Sequence, residues 1–201
     1  MATKTLMTTE EYEALPEAES GFEYELSEGE LIVLASPTLF HNRMRDDVLE
    51  RLRQFLRKHP HLGEVTSETD FWLTADTVRR PDVAFVGAAK PKSLDPRQKL
   101  QFAPDLAIEI ASPHDDLPRK VRDYLAAGAR VWTLYPDARV ARIHKPDEHA
   151  LVRDAETGDS LEDADLLPRF QATPRRSLRL TRRLSCWTAS PPPPACFRYN
   201  Q

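Results

Sequence analysis

The segments Arg80-Pro81-Asp82-Val83, Ile108-Glu109-Ile110-Ala111-Ser112-Pro113 and Lys120-Val121-Arg122-Asp123-Tyr124 decide how this chain folds and what it does. They place one carboxylate on each of two candidate strands and a lysine on the helix that follows. Two carboxylates offer the hard oxygen ligands that divalent cations prefer, and an ammonium group stabilises negative charge that develops on a phosphate. The combination indicates metal-assisted hydrolysis of phosphodiester bonds.

Strand alternation sets the two carboxylates apart from their neighbours. Glu109 shares one face of its strand with Ala107 and Ala111, whereas the opposite face is entirely apolar. Asp82 likewise shares a face with Ala84. A charge in a buried strand is costly unless it is paired or bound to a metal. Because the neighbouring side chains are methyl groups, there is room beside the carboxylates for a cation and a phosphate group.

Each of these residues also has a purely structural explanation. Glu109 could form a salt bridge with a basic residue of the neighbouring helix, and Asp82 could be a turn or cap acid after Pro81. Lys120 and Tyr124, four residues apart on one helix face, could belong to a solvated surface with the tyrosine half-buried. The joint pattern, two acids on small-residue faces followed by a lysine, favours a functional site.

Composition limits the expected cellular location and the type of metal ion. The 201 residues are enough for one domain with a full core. No apolar run approaches the ~20 residues that span a bilayer, and the N-terminus lacks a secretory signal, so we expect a cytoplasmic protein. Both cysteines, Cys186 and Cys196, lie near the C-terminus, which excludes a cysteine-based zinc site in the body. Oxygen ligands would favour Mg²⁺ or Mn²⁺.

The net charge of -4 hides an uneven distribution. Six of the 28 basic residues lie in 171–201, which contains no acid, so the first 170 residues carry 22 basic side chains against 32 acidic ones. An acidic body argues mildly against general nucleic-acid binding, because phosphate contacts usually dominate such affinity. We expect 1–170 to form one domain and 171–201, with its run of prolines, to be a disordered basic tail.

The hydrophobic periodicity predicts an α/β fold in which helices and strands are mixed (α+β). We expect a mixed central β-sheet that is flanked by helices and preceded by an N-terminal helix and a β-hairpin. Thr8 and Glu11 have capping-box spacing at the start of the first helix. The remaining predicted elements are a hairpin at Phe22–Leu34, a helix at His41–Lys58, strands at Glu64–Leu73, Pro81–Val86 and Leu106–Ala111, a helix at Leu117–Ala127, and a hairpin at Val131–Tyr135 and Arg139–His144.

These segments resemble the Uma2-like proteins, a group of the PD-(D/E)XK nuclease superfamily. The resemblance covers roughly residues 5–170 and rests on several separated matches in the same order. It implies a restriction endonuclease-like core and the activity of a metal-dependent endonuclease. The matching stretches are Tyr24–Leu31, Ser36–His41, Arg80–Val83, Pro104–Pro113, Lys120–Tyr124 with Gly128, and Val131-Trp132.

The resemblance also implies catalytic roles. Asp82 supplies the aspartate of the superfamily motif and Glu109 its second acid, so both are expected to bind the metal. The superfamily lysine usually follows the second acid by two positions, where this chain has Ala111. The Uma2-like group shifts this lysine into the next helix, which points to Lys120.

Three further residues are candidates for accessory roles. Glu25 would add a carboxylate from the first hairpin, with a surface acid beside Glu23 as an equal alternative. Tyr124 would position Lys120 or contact the nucleic-acid backbone. His41 would reach a phosphate, although a capping role at the start of the long helix is the stronger alternative.

The chain departs from the family near residue 170. Leu167-Pro168-Arg169-Phe170 matches the family's Leu-Pro-Gly-Phe-like turn only loosely, and the apolar helix that normally follows is missing from the sequence pattern. We therefore expect 171–201 to be an aberrant terminus, as a shift of reading frame would produce. Translation of the other frames beyond codon 170 would test this.

Two functional hypotheses from different classes follow. In the first, the protein is a Mg²⁺-dependent endonuclease that acts on nucleic acid, with DNA as the favoured substrate. Lys120 would orient water or stabilise the transition state. In the second, it is a nuclease-fold binding or scaffold module without cleavage, which the acidic body favours. A metal-dependent hydrolase of another substrate is a third, weaker option. A homodimer is an open arrangement, because superfamily members commonly dimerise to cut two strands.

Overall fold

The computed structural model describes residues 6–15, 23–90, 100–113, 115–154 and 156–172. Within these ranges the chain forms two β-sheets and three helices. The helices are α1 Thr9–Glu13, α2 Leu39–Lys58 and α3 Leu117–Ala126. The strands are β1 Glu23–Ser27, β2 Glu30–Leu34, β3 Gly63–Ser67, β4 Phe71–Thr74, β5 Thr77–Arg79, β6 Val83–Gly87, β7 Leu106–Ile110, β8 Arg130–Tyr135, β9 Val140–His144 and β10 Leu151–Asp154.

A six-stranded sheet of order β10-β9-β8-β7-β6-β3 forms the centre of the molecule. β7 and β8 run parallel and every other neighbouring pair in this sheet is antiparallel. A parallel pair needs a crossover connection, and α3 supplies it. The mixed central sheet that the sequence predicted is thereby confirmed.

α2 covers one face of this sheet. Its buried side chains recur at helical spacing, among them Met44, Val48 and Leu52, and they join one apolar cluster with Ile108 and Trp132 from the strands. Thr38 caps the N-terminus of α2 by accepting a hydrogen bond from the backbone of residue 41. The long helix is therefore held by its apolar stripe against the centre of the sheet.

The N-terminal hairpin belongs to a second, four-stranded sheet of order β2-β1-β5-β4. Thr8 and Glu11 form the predicted capping box at the start of α1. The hairpin turns at Gly29, whose φ of 76° lies in the region that glycine adopts most readily. In β1, Leu26 pairs with Leu31 on one side and with Val78 of β5 on the other.

The predicted single strand at Glu64–Leu73 is wrong. β3 ends at Ser67, the chain turns at Glu68 with a φ of 48°, and β4 joins the other sheet. Alternating polarity shows that residues are extended, but it does not show in which sheet they pair. β5 and β10 were not predicted either, because each is only three or four residues long.

The end of the described chain packs beneath α2. Phe170 stacks on Trp132 with ring centroids 6.1 Å apart and meets Phe55 edge-on at 5.3 Å. Arg169 has a φ of 69° at the position where the family turn has glycine. The predicted basic tail lies outside the described residues from 173 onward, so its disorder stays a prediction. No described helix has the length and apolar character needed to cross a bilayer.

Candidate active site

Asp82 and Glu109 lie at the same end of the six-stranded sheet. The register pairs Val83 of β6 with Ile108 of β7, which places Asp82 across from Glu109. The Asp82 carboxylate accepts a hydrogen bond at Oδ2 from the backbone N–H of Ile110, at 2.7 Å. The structure therefore brings together the two acids that the sequence singled out.

α3 places two polar side chains against Glu109, which is 2% exposed. The Lys120 ammonium lies 3.2 Å from Oε2 of Glu109, and the Tyr124 hydroxyl donates a hydrogen bond to Oε1 at 2.9 Å. Both side chains are buried, so the solvated-face alternative for them is wrong. The salt bridge proposed as a structural role for Glu109 is present, and it is made to the predicted catalytic lysine.

Glu25 lies on the other side of Lys120 and is fully buried. Its Oε1 is 3.3 Å from Nζ of Lys120 and accepts a hydrogen bond from the backbone N–H of Arg80 at 2.9 Å. Its Oε2 accepts a hydrogen bond from Arg79 at 2.7 Å. The surface-acid alternative for Glu25 is wrong, and the residue is part of the site.

His41 points its imidazole at Asp82, with Nε2 3.3 Å from Oδ2. This contact raises the pKa of His41 above its ordinary value, against the opposing effect of partial burial. The helix cap is Thr38, which accepts the backbone N–H of His41. The capping role suggested for His41 thus belongs to Thr38, and the histidine side chain faces the site.

Burial dominates the electrostatics of the central pair. Desolvation raises the pKa of Glu109 to about 8, although Lys120 lowers it, and the negative charges of Asp82 and Glu25 add to the rise. Burial alone would lower the pKa of Lys120, but the carboxylates of Glu109 and Glu25 raise it above its ordinary value. The lysine is therefore held as an ammonium group between Glu25 and Glu109.

The sequence did not reveal three further members of the site. Arg79, 1% exposed, reaches from β5 to Asp123 on α3, with Nη2 2.6 Å and Nε 3.0 Å from Oδ2. The Ser27 hydroxyl donates to the same oxygen at 2.7 Å. Arg79 precedes a second arginine, which is typical of a surface basic pair, and no pattern in so short a strand marks it as buried.

A cleft of about 90 Å³ opens beside Lys120. β2 and the loop before α3 form its walls, and Glu25, Arg79 and Asp115 are among the residues that line it. Partial burial raises the pKa of Asp115, an effect that Lys120 opposes and Asp82 reinforces. Asp115 is a further carboxylate of this region that the sequence did not single out, since it lies in a polar loop.

The candidate site offers carboxylate oxygens, the type of ligand that Mg²⁺ prefers. The described residues contain no group of three or more histidine, cysteine, aspartate or glutamate side chains arranged to hold a metal. Mg²⁺ is usually held by one or two carboxylates, with water and substrate phosphate oxygens completing its shell. The contacts of Asp82 with the Ile110 N–H and with His41 are both made by Oδ2.

Comparison with known proteins places the chain in a family. The family model Uma2, described as "Putative restriction endonuclease", matches residues 9–180. A crystal structure of a "putative nuclease belonging to DUF820" from Anabaena variabilis ATCC 29413 is similar in fold, with a TM-score of 0.76 and 19% identity, over 86% of this chain and 97% of that one. No curated protein matches the sequence significantly. The chain therefore belongs to the Uma2 family, and its fold is restriction endonuclease-like.

Proposed function

We propose that this protein is a metal-dependent endonuclease that hydrolyses phosphodiester bonds of DNA. The observation that carries the proposal is the convergence of Asp82, Glu109 and Lys120, from two strands and one helix, at one end of the central sheet. Membership of the Uma2 family supports the nuclease activity.

Asp82 and Glu109 would hold Mg²⁺ or Mn²⁺. When bound, such a cation polarises the scissile phosphate and lowers the pKa of a coordinated water. Charge balance supports this role: Glu109 shares the Lys120 ammonium with Glu25, which Arg79 also contacts, and the negative charges of Asp82 and Glu25 raise the pKa of Glu109. A further cation would lower the cost of burying these carboxylates close together.

Lys120 would stabilise the negative charge that develops on the phosphate during hydrolysis. Its ammonium is fixed by Glu109 and Glu25 and is largely shielded from bulk water, at 7% exposure. A preorganised charge in such an environment acts more strongly than one in water. Tyr124 holds the Glu109 carboxylate through Oε1, and His41 contacts the Asp82 carboxylate through Nε2.

One observation favours the second function, a nuclease-fold module that binds without cleaving. Lys120 is nearly inaccessible and is already paired with two carboxylates. In that case the ion pairs would serve stability alone. The two functions differ in a measurable way, because only the first requires a divalent cation and a loss of product when either acid is replaced.

The test is cleavage of supercoiled plasmid DNA by the purified protein with Mg²⁺, with Mn²⁺ and with a chelator, beside a parallel assay on RNA. We expect Asp82→Asn, Glu109→Gln and Lys120→Met each to lower the rate by about 10²–10³-fold, the usual effect of removing a group that stabilises transition-state charge. Glu50→Gln makes the same carboxylate-to-amide change at an exposed ion pair on α2 and is expected to cleave like the wild type.

Each contrary result has a definite meaning. If folded wild-type protein cleaves neither nucleic acid with either metal, the endonuclease proposal is wrong and the binding module is favoured. If the wild type and all variants cleave equally, the activity arises elsewhere. If RNA alone is cut, the nuclease stands and the choice of DNA is wrong.

A further inference from the structure

Arg79 and Asp123 form a buried ion pair that the proposed chemistry does not use. The guanidinium contacts Oδ2 of Asp123 twice, at 2.6 and 3.0 Å, and Oε2 of Glu25 once, at 2.7 Å. Ser27 adds a hydrogen bond to the same Asp123 oxygen. One arginine from β5 thus connects the four-stranded sheet with α3.

The position of Asp123 on α3 links this pair to the site. Residues three and four apart on a helix lie on one face, so Asp123 and Tyr124 flank the turn that follows Lys120. Asp123 is fixed by Arg79, and Tyr124 is fixed by Glu109. These two contacts, Arg79 with Asp123 and Tyr124 with Glu109, therefore fix the rotation of α3 about its axis. Lys120 lies one turn earlier on the same face, so its direction is fixed with them.

Glu25 provides the second link. One of its oxygens contacts Arg79 and the other contacts Lys120, at 2.7 and 3.3 Å. With Arg79 in place, the charge of Glu25 is balanced from both sides, and the lysine can remain near Glu109. Without Arg79, Glu25 would depend on Lys120 alone, and the ammonium would be drawn away from Glu109.

We propose that Arg79 and Asp123 are positioning residues that hold the Lys120 ammonium between Glu25 and Glu109. This inference rests on the proposed function, because it gives Lys120 a chemical role to be positioned for. Energetics support it, since a buried ion pair often contributes no more stability than apolar residues of the same volume. A buried arginine with two carboxylate partners is therefore better explained by the arrangement it fixes than by stability.

The test compares two arginine-to-lysine substitutions. Arg79→Lys keeps the charge but loses the planar fork that contacts both carboxylates. The matched control is Arg130→Lys on β8, where an arginine likewise contacts two carboxylates, Asp163 and Asp165, away from the site. We expect Arg79→Lys to lower kcat about tenfold or more with KM nearly unchanged, and Arg130→Lys to leave both unchanged. Equal kcat for Arg79→Lys and wild type would overturn the inference.

A second readout does not depend on cleavage. The ¹⁵N resonance of the Lys120 ammonium, assigned by its disappearance in Lys120→Met, reports the surroundings of Nζ. Arg79→Lys is expected to shift it and Arg130→Lys to leave it in place. If the wild type proves inactive, the proposed function fails, yet the positioning is still judged by this resonance, and an unshifted signal would overturn it.

Ser27→Ala covers the case in which Arg79→Lys does not fold. It removes one hydrogen bond to Asp123 and no charge. We expect a smaller fall in kcat, about threefold, together with a Lys120 resonance displaced from its wild-type position. Unchanged kcat together with an unshifted resonance would contradict a positioning role for the Asp123 contacts.

Discussion

Adjacent residues of β7 point to opposite faces of the sheet, and the two faces differ in chemistry. Ile108 and Ile110 belong to the apolar cluster beneath α2, whereas Glu109, between them, meets Lys120 and Tyr124 of α3. All five residues of the strand are buried. The comparison shows that burial alone does not define the core of this protein, because β7 buries apolar side chains on one face and the ionisable side chain of Glu109 on the other.

The α2 face of the sheet contributes most of the stability, and the α3 face carries the groups of the candidate active site. Burying an aliphatic side chain contributes about 1.5–3 kcal/mol, so the cluster beneath α2 is the main source of folding free energy. The ionic groups beneath α3 contribute little or are costly, since desolvation offsets their attraction. The α3 face also carries a small apolar cluster, Ala107, Tyr124, Ala129 and Val131.

The largest expected effect on stability lies on the α2 face. Trp132 is buried there and stacks on Phe170. Trp132→Ala should lower the free energy of unfolding by about 3–5 kcal/mol, since it removes a large apolar surface and leaves a cavity. Urea unfolding followed by circular dichroism measures this. Val152→Ala, on an exposed position of β10, is the control and should change little; a loss as small as the control's would refute the assignment of the core.

Glu109, on the α3 face of β7, should make the free energy of unfolding depend on pH. Burial raises the pKa of Glu109 from 4.5 to about 8, so between these values the folded state binds a proton that the unfolded state has released. The free energy of unfolding contributed by this group therefore falls as the pH rises through that range. Urea titrations without divalent cations, at intervals from about pH 5 to 8, measure the slope.

Glu109→Gln is the variant that isolates this slope. Glutamine keeps the size and polarity of the side chain but does not titrate, so the decline in stability between the same pH values should become shallower. Adding Mg²⁺ to the wild type should also reduce the decline, because a cation favours the ionised carboxylate. A variant as steep as the wild type would show that another group carries the pH dependence.

A smaller effect is expected where α3 begins. Asp116 caps the helix by accepting the backbone N–H of Arg119 at 3.3 Å. Asp116→Ala should lower the free energy of unfolding by about 1 kcal/mol, whereas Asp116→Asn should cost little, because asparagine caps equally well. Thermal unfolding of the two variants provides the measurement. Equal losses in both would mean that the charge, and not the cap, is what matters there.

Local pattern was enough to predict most of the fold and to single out Glu109, Lys120 and Tyr124, whose catalytic roles stay a prediction. Alternation in the strand of Glu109 showed a lone acid on a small-residue face, and the spacing of Lys120 and Tyr124 showed that both share a helix face. These are short-range regularities that follow from backbone geometry. The structure places the Lys120 and Tyr124 side chains in contact with Glu109, which the local pattern alone did not require.

What could not be predicted depends on pairing between distant segments. Arg79 and Asp123 are 44 residues apart, and nothing local shows that a charged side chain of a three-residue strand is buried. The change of sheet between β3 and β4 likewise depends on which partner strand is available. The local sequence fits a surface acid at Glu25 equally well, because its partners Arg79 and Lys120 lie far along the chain.

The contrast between the two faces of β7 is tested most directly by two neighbouring substitutions, Ile108→Val and Glu109→Gln, each measured for plasmid cleavage with Mg²⁺ and for urea unfolding. Ile108→Val should cost about 0.5–1.5 kcal/mol of stability while cleaving like the wild type. Glu109→Gln should cleave about 10²-fold more slowly or worse while remaining at least as stable at neutral pH. If Glu109→Gln cleaved normally, or if both variants lost stability and cleavage together, the separation of core from active site would be contradicted.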